Sequence, residues 1–230
     1  MGFLMASFAH EKLLARKAVV LVNISEQYSV TLARIFTEEF EKAGGEVLWQ
    51  GSYRGNAVNF EDLLEEVKVL RPDVLFIPGY ARDSGLLISQ AVTMGIETTF
   101  LGGDGWGEPM RKYAGDALLG SYYTSHCCPD AFLNEKSGLQ RLYREKLTMD
   151  SIDDLSIALT YDAIRLFVDA ARRAAGPDRD SIRDALAATE NFRGVTGTIT
   201  FDQNGDPMGK EAYVLKFQKD RSVLVHSLIQ

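Results

Sequence analysis

A short glycine-rich stretch carries the side chains that are best suited, by type and spacing, to do chemistry. Residues 100–106 read Phe-Leu-Gly-Gly-Asp-Gly-Trp, so one carboxylate and one indole share a turn with three glycines. Glycine has no Cβ atom, so the backbone can turn sharply there and approach a small ligand closely. On such a turn Asp104 is suited to pair with a ligand ammonium group. The same residues are also compatible with a surface turn and a solvated carboxylate.

The overall composition indicates a globular chain and argues against several classes of function. The 230 residues are 46% hydrophobic and 25% charged, which suffices for one large or two small cores. A net charge of -7 without a basic stripe disfavours nucleic-acid binding. No apolar run reaches the roughly 18 to 20 residues that cross a bilayer. Residues 1–5 are too short and lack the basic residues of a signal peptide, so we expect none in this sequence.

The first two thirds of the sequence alternates short apolar runs with amphipathic stretches. This pattern predicts an α/β fold, a doubly wound parallel sheet with helices on both faces. Strands are predicted at residues 17–23, 46–52, 74–77, 99–101 and 118–124, and helices at residues 7–15, 28–43, 60–70 and 83–94.

Beyond about residue 130 the pattern changes. Helices without intervening strands are predicted at residues 133–147, 156–175 and 181–188, followed by strands at residues 197–201, 212–218 and 222–226. Residues 202–206 superficially resemble a calcium-binding loop. Pro207 stands where such a loop needs glycine, however, and no glutamate closes it. The Asn-Gly pair within the segment favours a turn instead.

This sequence contains no motif for metal binding or for catalysis. The only cysteines, Cys127 and Cys128, are adjacent and cannot form an ordinary disulfide without strain, so we interpret them as thiols. With His126 they fall short of the four ligands of a structural zinc site. The three histidines lie beside no nucleophile motif, and Glu108 breaks a dinucleotide fingerprint after the glycine turn. We therefore expect no catalytic residue, no metal and no cofactor.

Five segments, in this order and spacing, resemble one family of proteins. They are residues 8–20, 27–29, 74–80, 100–106 and 194–202. The chain resembles the type I periplasmic binding proteins, in the branched-chain amino acid group of solute-binding proteins of ABC transporters. The resemblance implies two α/β lobes that close on a ligand. It assigns residues 1–124 to the second lobe, with a Rossmann-like parallel sheet, residues 125–195 to a crossover and helices left from lobe one, and residues 196–230 to the returning crossover and closing strands. The N-terminal part of lobe one has no counterpart.

The resemblance also implies a ligand site. Carried over by motif, Tyr28, Tyr80 and Asp104 would line the cleft and Trp106 would cap it. The first three each follow a predicted strand, which agrees with this assignment. Each tyrosine offers a flat apolar face and a hydroxyl. The alternative is that the tyrosines pack half-buried at the sheet edge and that Trp106 packs against a helix. Ser125 or His126 would reach the cleft only if the hinge folds as in the family.

The implied function is that of a truncated extracellular solute-binding protein that binds an amino acid or amide by hinge closure. Its partners would be an ABC transporter permease and its location the periplasm or cell surface. An alternative is a non-binding interaction module that forms a homodimer or pairs with a separate lobe-one chain. The predicted helix at residues 156–175 favours self-association because its apolar surface is large. An enzyme of doubly wound fold is a third possibility.

Overall fold

The computed structural model describes residues 1–128 and 154–229, with the side chains of residues 154 and 155 left out. The predicted helix at residues 133–147 lies outside these ranges. The chain divides into two compact units. The first contains Met1–Ser125 and Val214–His226, and the second contains His126–Tyr213 and Ser227–Gln230. The chain therefore passes into the first unit at Val214, whereas the resemblance places the returning crossover from residue 196.

The described residues form helices and strands in alternating order up to residue 125. In chain order the elements are α1 (Gly2–Glu11), β1 (Lys17–Asn23), α2 (Gln27–Lys42), β2 (Glu46–Tyr53), α3 (Glu61–Leu70), β3 (Val74–Phe76), α4 (Ala81–Thr93), β4 (Thr99–Gly102), α5 (Arg111–Ala114), β5 (Tyr122–Ser125), α6 (Asp154–Arg173), α7 (Arg179–Ala187), β6 (Phe192–Gly194), β7 (Gly197–Ile199), β8 (Glu211–Phe217) and β9 (Ser222–Ile229). Short 3₁₀ turns flank α5 at Glu108–Met110 and Gly115–Leu118.

Seven strands form one sheet in the order β2-β1-β3-β4-β5-β8-β9. The first five are joined by parallel pairings, β1 with β2, β1 with β3, β3 with β4 and β4 with β5. Strand β1 is buried over six of its seven residues, as expected for a parallel strand covered on both faces. The predicted α/β class with a doubly wound parallel sheet is confirmed.

Helix α2 shows how sequence spacing produces the packing of the first unit. Leu32, Phe36 and Phe40 recur at intervals of four residues, so they share one face of the helix, and all three are buried. The Phe36 ring stacks on Phe76 of β3 with centroids 4.2 Å apart. Each fully buried large side chain of this kind contributes about 1.5–3 kcal/mol. The helix ends where Gly44 adopts a φ of 94°, a conformation that glycine takes without strain.

Several local predictions differ from the structure, and helix α5 is one element that they lack. Helix α1 starts at Gly2 rather than residue 7, because the apolar residues at its start are buried in the core. The segment predicted as a strand from residue 118 first forms a 3₁₀ turn and then a turn at Gly120 (φ 89°), so β5 begins at Tyr122. Strand β6 is absent from the prediction; it pairs antiparallel with β7 over three residues, a length too short for a clear alternating pattern.

A buried carboxylate connects α6 to the β6–β7 hairpin in the second unit. Asp162 is 2% exposed and accepts hydrogen bonds from the backbone N–H groups of Val195 (2.8 Å) and Thr196 (2.7 Å) and from the Thr196 hydroxyl (2.7 Å). The Lys210 ammonium donates to that hydroxyl oxygen at 2.9 Å. A buried charge is tolerated only with such partners. The hairpin turn can approach Asp162 because residue 194 is glycine, where a Cβ would come within 2.3 Å of the carboxylate.

The segment at residues 202–206 is a turn, as interpreted from the sequence. Its Asp202 carboxylate accepts backbone hydrogen bonds from Asn204 and Asp206 within the same turn. These bonds, that from Asp206 first, lower the pKa of Asp202.

A second carboxylate fixes the segment after the glycine turn in the first unit. Glu108 accepts hydrogen bonds from the Ser222 backbone and hydroxyl and pairs with Arg111. Arg111 in turn donates to the carbonyl of Gln218 at 2.8 Å. Burial alone would raise the pKa of Glu108, but the hydrogen bonds from Arg111 and Ser222 outweigh it, so the pKa is lowered from its ordinary value.

The lowered pKa of Glu108 predicts a pH-dependent contribution to stability. Such a carboxylate stabilises the fold above its unfolded pKa, and the contribution is lost as the pH falls through the folded pKa. We expect Glu108→Gln to reduce the free energy of unfolding by about 1 kcal/mol at pH 7, since the group is partly exposed, and by less at pH 3. Urea unfolding at both pH values measures this.

Glu38→Gln is the matched control for that experiment. Its exposed pair with Arg34 lies within α2, and we expect a change below about 0.5 kcal/mol at either pH. An effect of Glu108→Gln that is no larger than the control's, or that grows toward pH 3, would contradict the prediction.

Candidate functional site

Three predicted site residues lie together at one edge of the sheet in the first unit. Strands β1, β3 and β4 are neighbours and parallel, so their carboxyl ends open at the same edge. Tyr28 is in the first turn of α2 after β1, Tyr80 is the N-cap residue of α4 after β3, and Asp104 follows β4. Tyr28 and Asp104 are half-buried, whereas Tyr80 is 48% exposed.

Hydrogen bonds and ring stacking join these residues. The Tyr28 hydroxyl donates to Asp104 Oδ1 at 2.9 Å and accepts from the backbone N–H of Gly105 at 2.9 Å. The Tyr28 ring stacks on the Tyr80 ring, with centroids 5.3 Å apart and planes 22° apart. The structure thus places a carboxylate beside a pair of stacked aromatic rings.

The electrostatics of the site favour a neutral hydroxyl beside a carboxylate. Burial raises the pKa of Tyr28, and the charge of Asp104 raises it further, so the phenol keeps its proton under ordinary conditions.

The glycines around Asp104 are required because the neighbouring groups come very close. A Cβ at position 103 would come within 2.4 Å of both the Tyr28 hydroxyl and the Leu32 side chain. A Cβ at position 105 would lie 2.8 Å from the carbonyl oxygen of Gly79. The sequence predicts that these glycines permit the close approach of a small ligand. In the structure the Tyr28 side chain of the same site approaches them.

Trp106 lies away from solvent in this structure. It is 2% exposed and its ring occupies the space that a Cβ at Gly102 would fill, with approach distances of 2.1–2.6 Å. Among the described residues its indole Nε1 has no hydrogen-bond partner. The packing alternative for Trp106 accounts for this position, and a direct ligand contact stays a prediction.

A polar cluster that the sequence prediction missed lies at the end of β1. Asn23, 2% exposed, ends β1; its backbone N–H donates to Ser29 Oγ at 2.9 Å, and its side-chain oxygen accepts from the Ser25 backbone at 3.0 Å. The Asn23 amide also reaches Asp83 at 3.4 Å, and Asp83 pairs with Arg82 at 2.9 Å. An asparagine directly after an apolar strand was the available signal, because asparagine there commonly bonds to the following backbone.

The remaining predicted groups have other positions. Ser125 is buried at the end of β5, and His126 begins the second unit, so a role for either in ligand binding stays a prediction. Cys127 is buried, Cys128 is half-buried, and no disulfide joins them. Within residues 1–128 and 154–229 no group of three or more histidine, cysteine, aspartate or glutamate side chains could hold a metal ion. In the same ranges no helix has the length and apolarity needed to span a membrane.

The close approach at Gly103 gives a testable prediction. We expect Gly103→Ala to reduce the free energy of unfolding by about 1–3 kcal/mol, because the new methyl displaces Leu32 or the Tyr28 hydroxyl. Gly55→Ala is the control, since its Cβ would meet no atom nearer than 3.6 Å; we expect less than about 0.5 kcal/mol. Urea unfolding of both variants measures the difference, and equal effects would show that the site is not tightly packed.

Comparisons with known proteins agree with this architecture. The family model described as periplasmic binding protein matches residues 4–222. The chain is 25% identical over 206 residues to a leucine-, isoleucine-, valine-, threonine- and alanine-binding protein of Pseudomonas aeruginosa, covering 89% of this chain and 54% of that protein.

Solved structures show the same fold. A leucine-binding protein from Thermotoga maritima superimposes with a TM-score of 0.91 at 30% identity, covering 99% of this chain and 65% of the other. A branched-chain amino acid transporter substrate-binding protein from Streptococcus pneumoniae, in complex with isoleucine, gives a TM-score of 0.83 at 27% identity, covering 97% and 64%. The chain spans about half the length of the curated relatives it matches. The chain belongs to the periplasmic binding proteins, in the type I group that includes the branched-chain amino acid binding proteins.

Proposed function

We propose that this chain binds a small ligand with an ammonium group, of the amino acid class, on the face formed by Tyr28, Tyr80 and Asp104. The observation that carries the proposal is the Asp104 carboxylate, held by the Tyr28 hydroxyl beside two stacked aromatic rings. A carboxylate in a half-buried position forms a strong, charge-assisted hydrogen bond with an ammonium group. The tyrosine rings offer apolar area to the rest of the ligand. Trp106 would contact the ligand only if it left its buried position.

The relatives support this ligand class. The Pseudomonas protein is named for binding five amino acids, and the Streptococcus structure contains isoleucine. An amide ligand would offer a neutral N–H donor in place of the ammonium and would bind the carboxylate less strongly. Cys127, Cys128 and the three histidines have no role in this proposal, which is one of binding without chemistry.

The wider role follows the same resemblance. We propose that the solute is enclosed by hinge closure between two lobes, in the periplasm or at the cell surface, and is passed to an ABC transporter permease. The resemblance implies that groups of lobe one hold the ligand's carboxylate. Tyr28, Tyr80 and Asp104 would then bind its amine and its apolar part.

The ammonium-binding role of Asp104 is tested by calorimetry. L-leucine, L-isoleucine and L-alanine serve as probes, with 4-methylpentanoate as the analogue of leucine without its amine. We expect Asp104→Asn to weaken binding of the amino acids about 10- to 100-fold, the loss of one charge-assisted hydrogen bond. We expect the analogue to bind more weakly than leucine to the unaltered chain and to lose nothing further in the variant.

Asp62→Asn is the control, because this exposed carboxylate lies in the first turn of α3, remote in sequence from the site residues. We expect less than about a twofold change in affinity. Absence of amino acid binding to the unaltered chain, or equal affinity of Asp104→Asn, would overturn the proposed function.

A second candidate function, an interaction module, is favoured by one surface of the second unit. Ile164, Phe167 and Val168 on α6 are 60%, 52% and 40% exposed. Exposed apolar residues grouped on one helix mark an interaction site when they are contiguous. The partner would be a second copy of this chain or a separate chain with a lobe-one sheet.

Light scattering tests self-association through this surface. We expect a mass greater than that of one chain for the unaltered protein, and the mass of one chain for the Ile164→Glu, Phe167→Glu double variant, because two charges oppose burial of the helix face. Val69→Glu on α3, where Val69 is 76% exposed, should leave the mass unchanged. A monomeric unaltered protein would count against this candidate.

A further inference from the structure

We propose that Tyr28 is a positioning residue: its hydroxyl holds the carboxylate of Asp104 in the orientation that receives a ligand ammonium, and it donates no hydrogen bond to the ligand itself. This inference rests on the proposed function, because it assigns separate roles to Tyr28 and Asp104 within the same site. It differs from the expectation drawn from the sequence, in which Tyr28 offers its hydroxyl to the ligand.

The donors and acceptors around Tyr28 determine the direction in which its hydroxyl proton points. An ionised carboxylate only accepts and a backbone N–H only donates, whereas a phenol has one proton and two lone pairs. Tyr28 accepts from Gly105 N and contacts Asp104 Oδ1, both at 2.9 Å. Its single proton must therefore point to Asp104. Donation to a ligand carboxylate would require Tyr28 to give up the Asp104 bond.

The chemistry of the phenol fits this assignment. Burial and the charge of Asp104 both raise the pKa of Tyr28, so the proton that holds Asp104 remains in place at neutral pH. Any ionisation of the phenol would place two negative charges at hydrogen-bonding distance, which is unfavourable.

The tyrosine ring is itself held from several sides, which makes it a rigid support. It stacks on Tyr80. The backbone at positions 103 and 105 lies so close to its hydroxyl and its ring that neither position has room for a methyl group. The start of α2 is fixed in turn by the bond between Asn23 and Ser29. A support of this kind lowers the ordering cost that Asp104 would otherwise meet on binding, and we expect this to be worth about 3- to 10-fold in affinity.

A double-mutant cycle separates this role from direct contact. Tyr28→Phe removes the hydroxyl and keeps the ring; L-leucine affinity is measured by calorimetry for Tyr28→Phe, Asp104→Asn and the double variant. If Tyr28 acts through Asp104, Tyr28→Phe weakens binding about 3- to 10-fold alone and less than about twofold in the Asp104→Asn background. Equal losses in both backgrounds, or no loss in either, overturn the proposal.

Tyr80→Phe serves as the comparison variant, because no hydrogen bond connects the Tyr80 hydroxyl to Asp104 among the contacts that the described part of the chain shows. We expect whatever effect it has to persist in the Asp104→Asn background. Melting curves recorded for all variants ensure that affinities are compared between folded proteins.

A ligand-free readout makes the two proposals distinguishable. In protein labelled with ¹³C at tyrosine Cζ, the Tyr28 resonance is identified by its loss in Tyr28→Phe, and Asp104→Asn should shift it. If no amino acid binds the unaltered chain, the proposed function fails and the positioning role falls with it. If leucine binds but the resonance does not shift or the cycle is additive, the positioning role alone is overturned.

Discussion

The parallel alignment of β1, β3 and β4 is the constraint on which the site depends. Neighbouring parallel strands end at the same edge of a sheet, so the residues that follow them converge although they are far apart in the sequence. Tyr28 and Asp104 are separated by 76 positions and meet at 2.9 Å. The buried apolar strands supply the alignment, and the segments that follow them, including the starts of α2 and α4, supply the side chains. A shift of one strand by one residue would separate the hydroxyl from the carboxylate.

Much of this fold could be predicted from the sequence because its signals are local and strong. Apolar runs bounded by glycine and asparagine indicate parallel strands, and the spacing of Leu32, Phe36 and Phe40 indicates which face of α2 is buried. The failures came where elements are short or where tertiary contacts decide. Strand β6 has three residues and exists through pairing with β7, and α1 extends to Gly2 because that end is buried against α2.

Some features of the candidate site could likewise be predicted from the sequence, and others could not. Tyr28, Tyr80 and Asp104 could be named from their places after strands, and the structure brings them together. The hydrogen bond between Tyr28 and Asp104 could not be predicted, because a residue type does not reveal where a hydroxyl proton points. The position of Trp106 depends on the absence of a Cβ at Gly102, a steric relation across the turn that no periodicity encodes. The polar cluster at the end of β1 likewise depends on side chains from separate elements, β1, α2 and α4.

The crowding around Tyr28 has a consequence for how such a site can diversify. Neither Gly103 nor Gly105 can be replaced by a larger residue while Tyr28 stays in place, because a methyl group at either position would strike a neighbour. Tyr80, nearly half exposed, has room on its outer side. Under the proposed function, new ligand preferences should therefore arise first by substitution at Tyr80, while Asp104 and Tyr28 are kept together. Divergent chains would then differ in the solute side chain that they prefer before they differ in how they bind its amine.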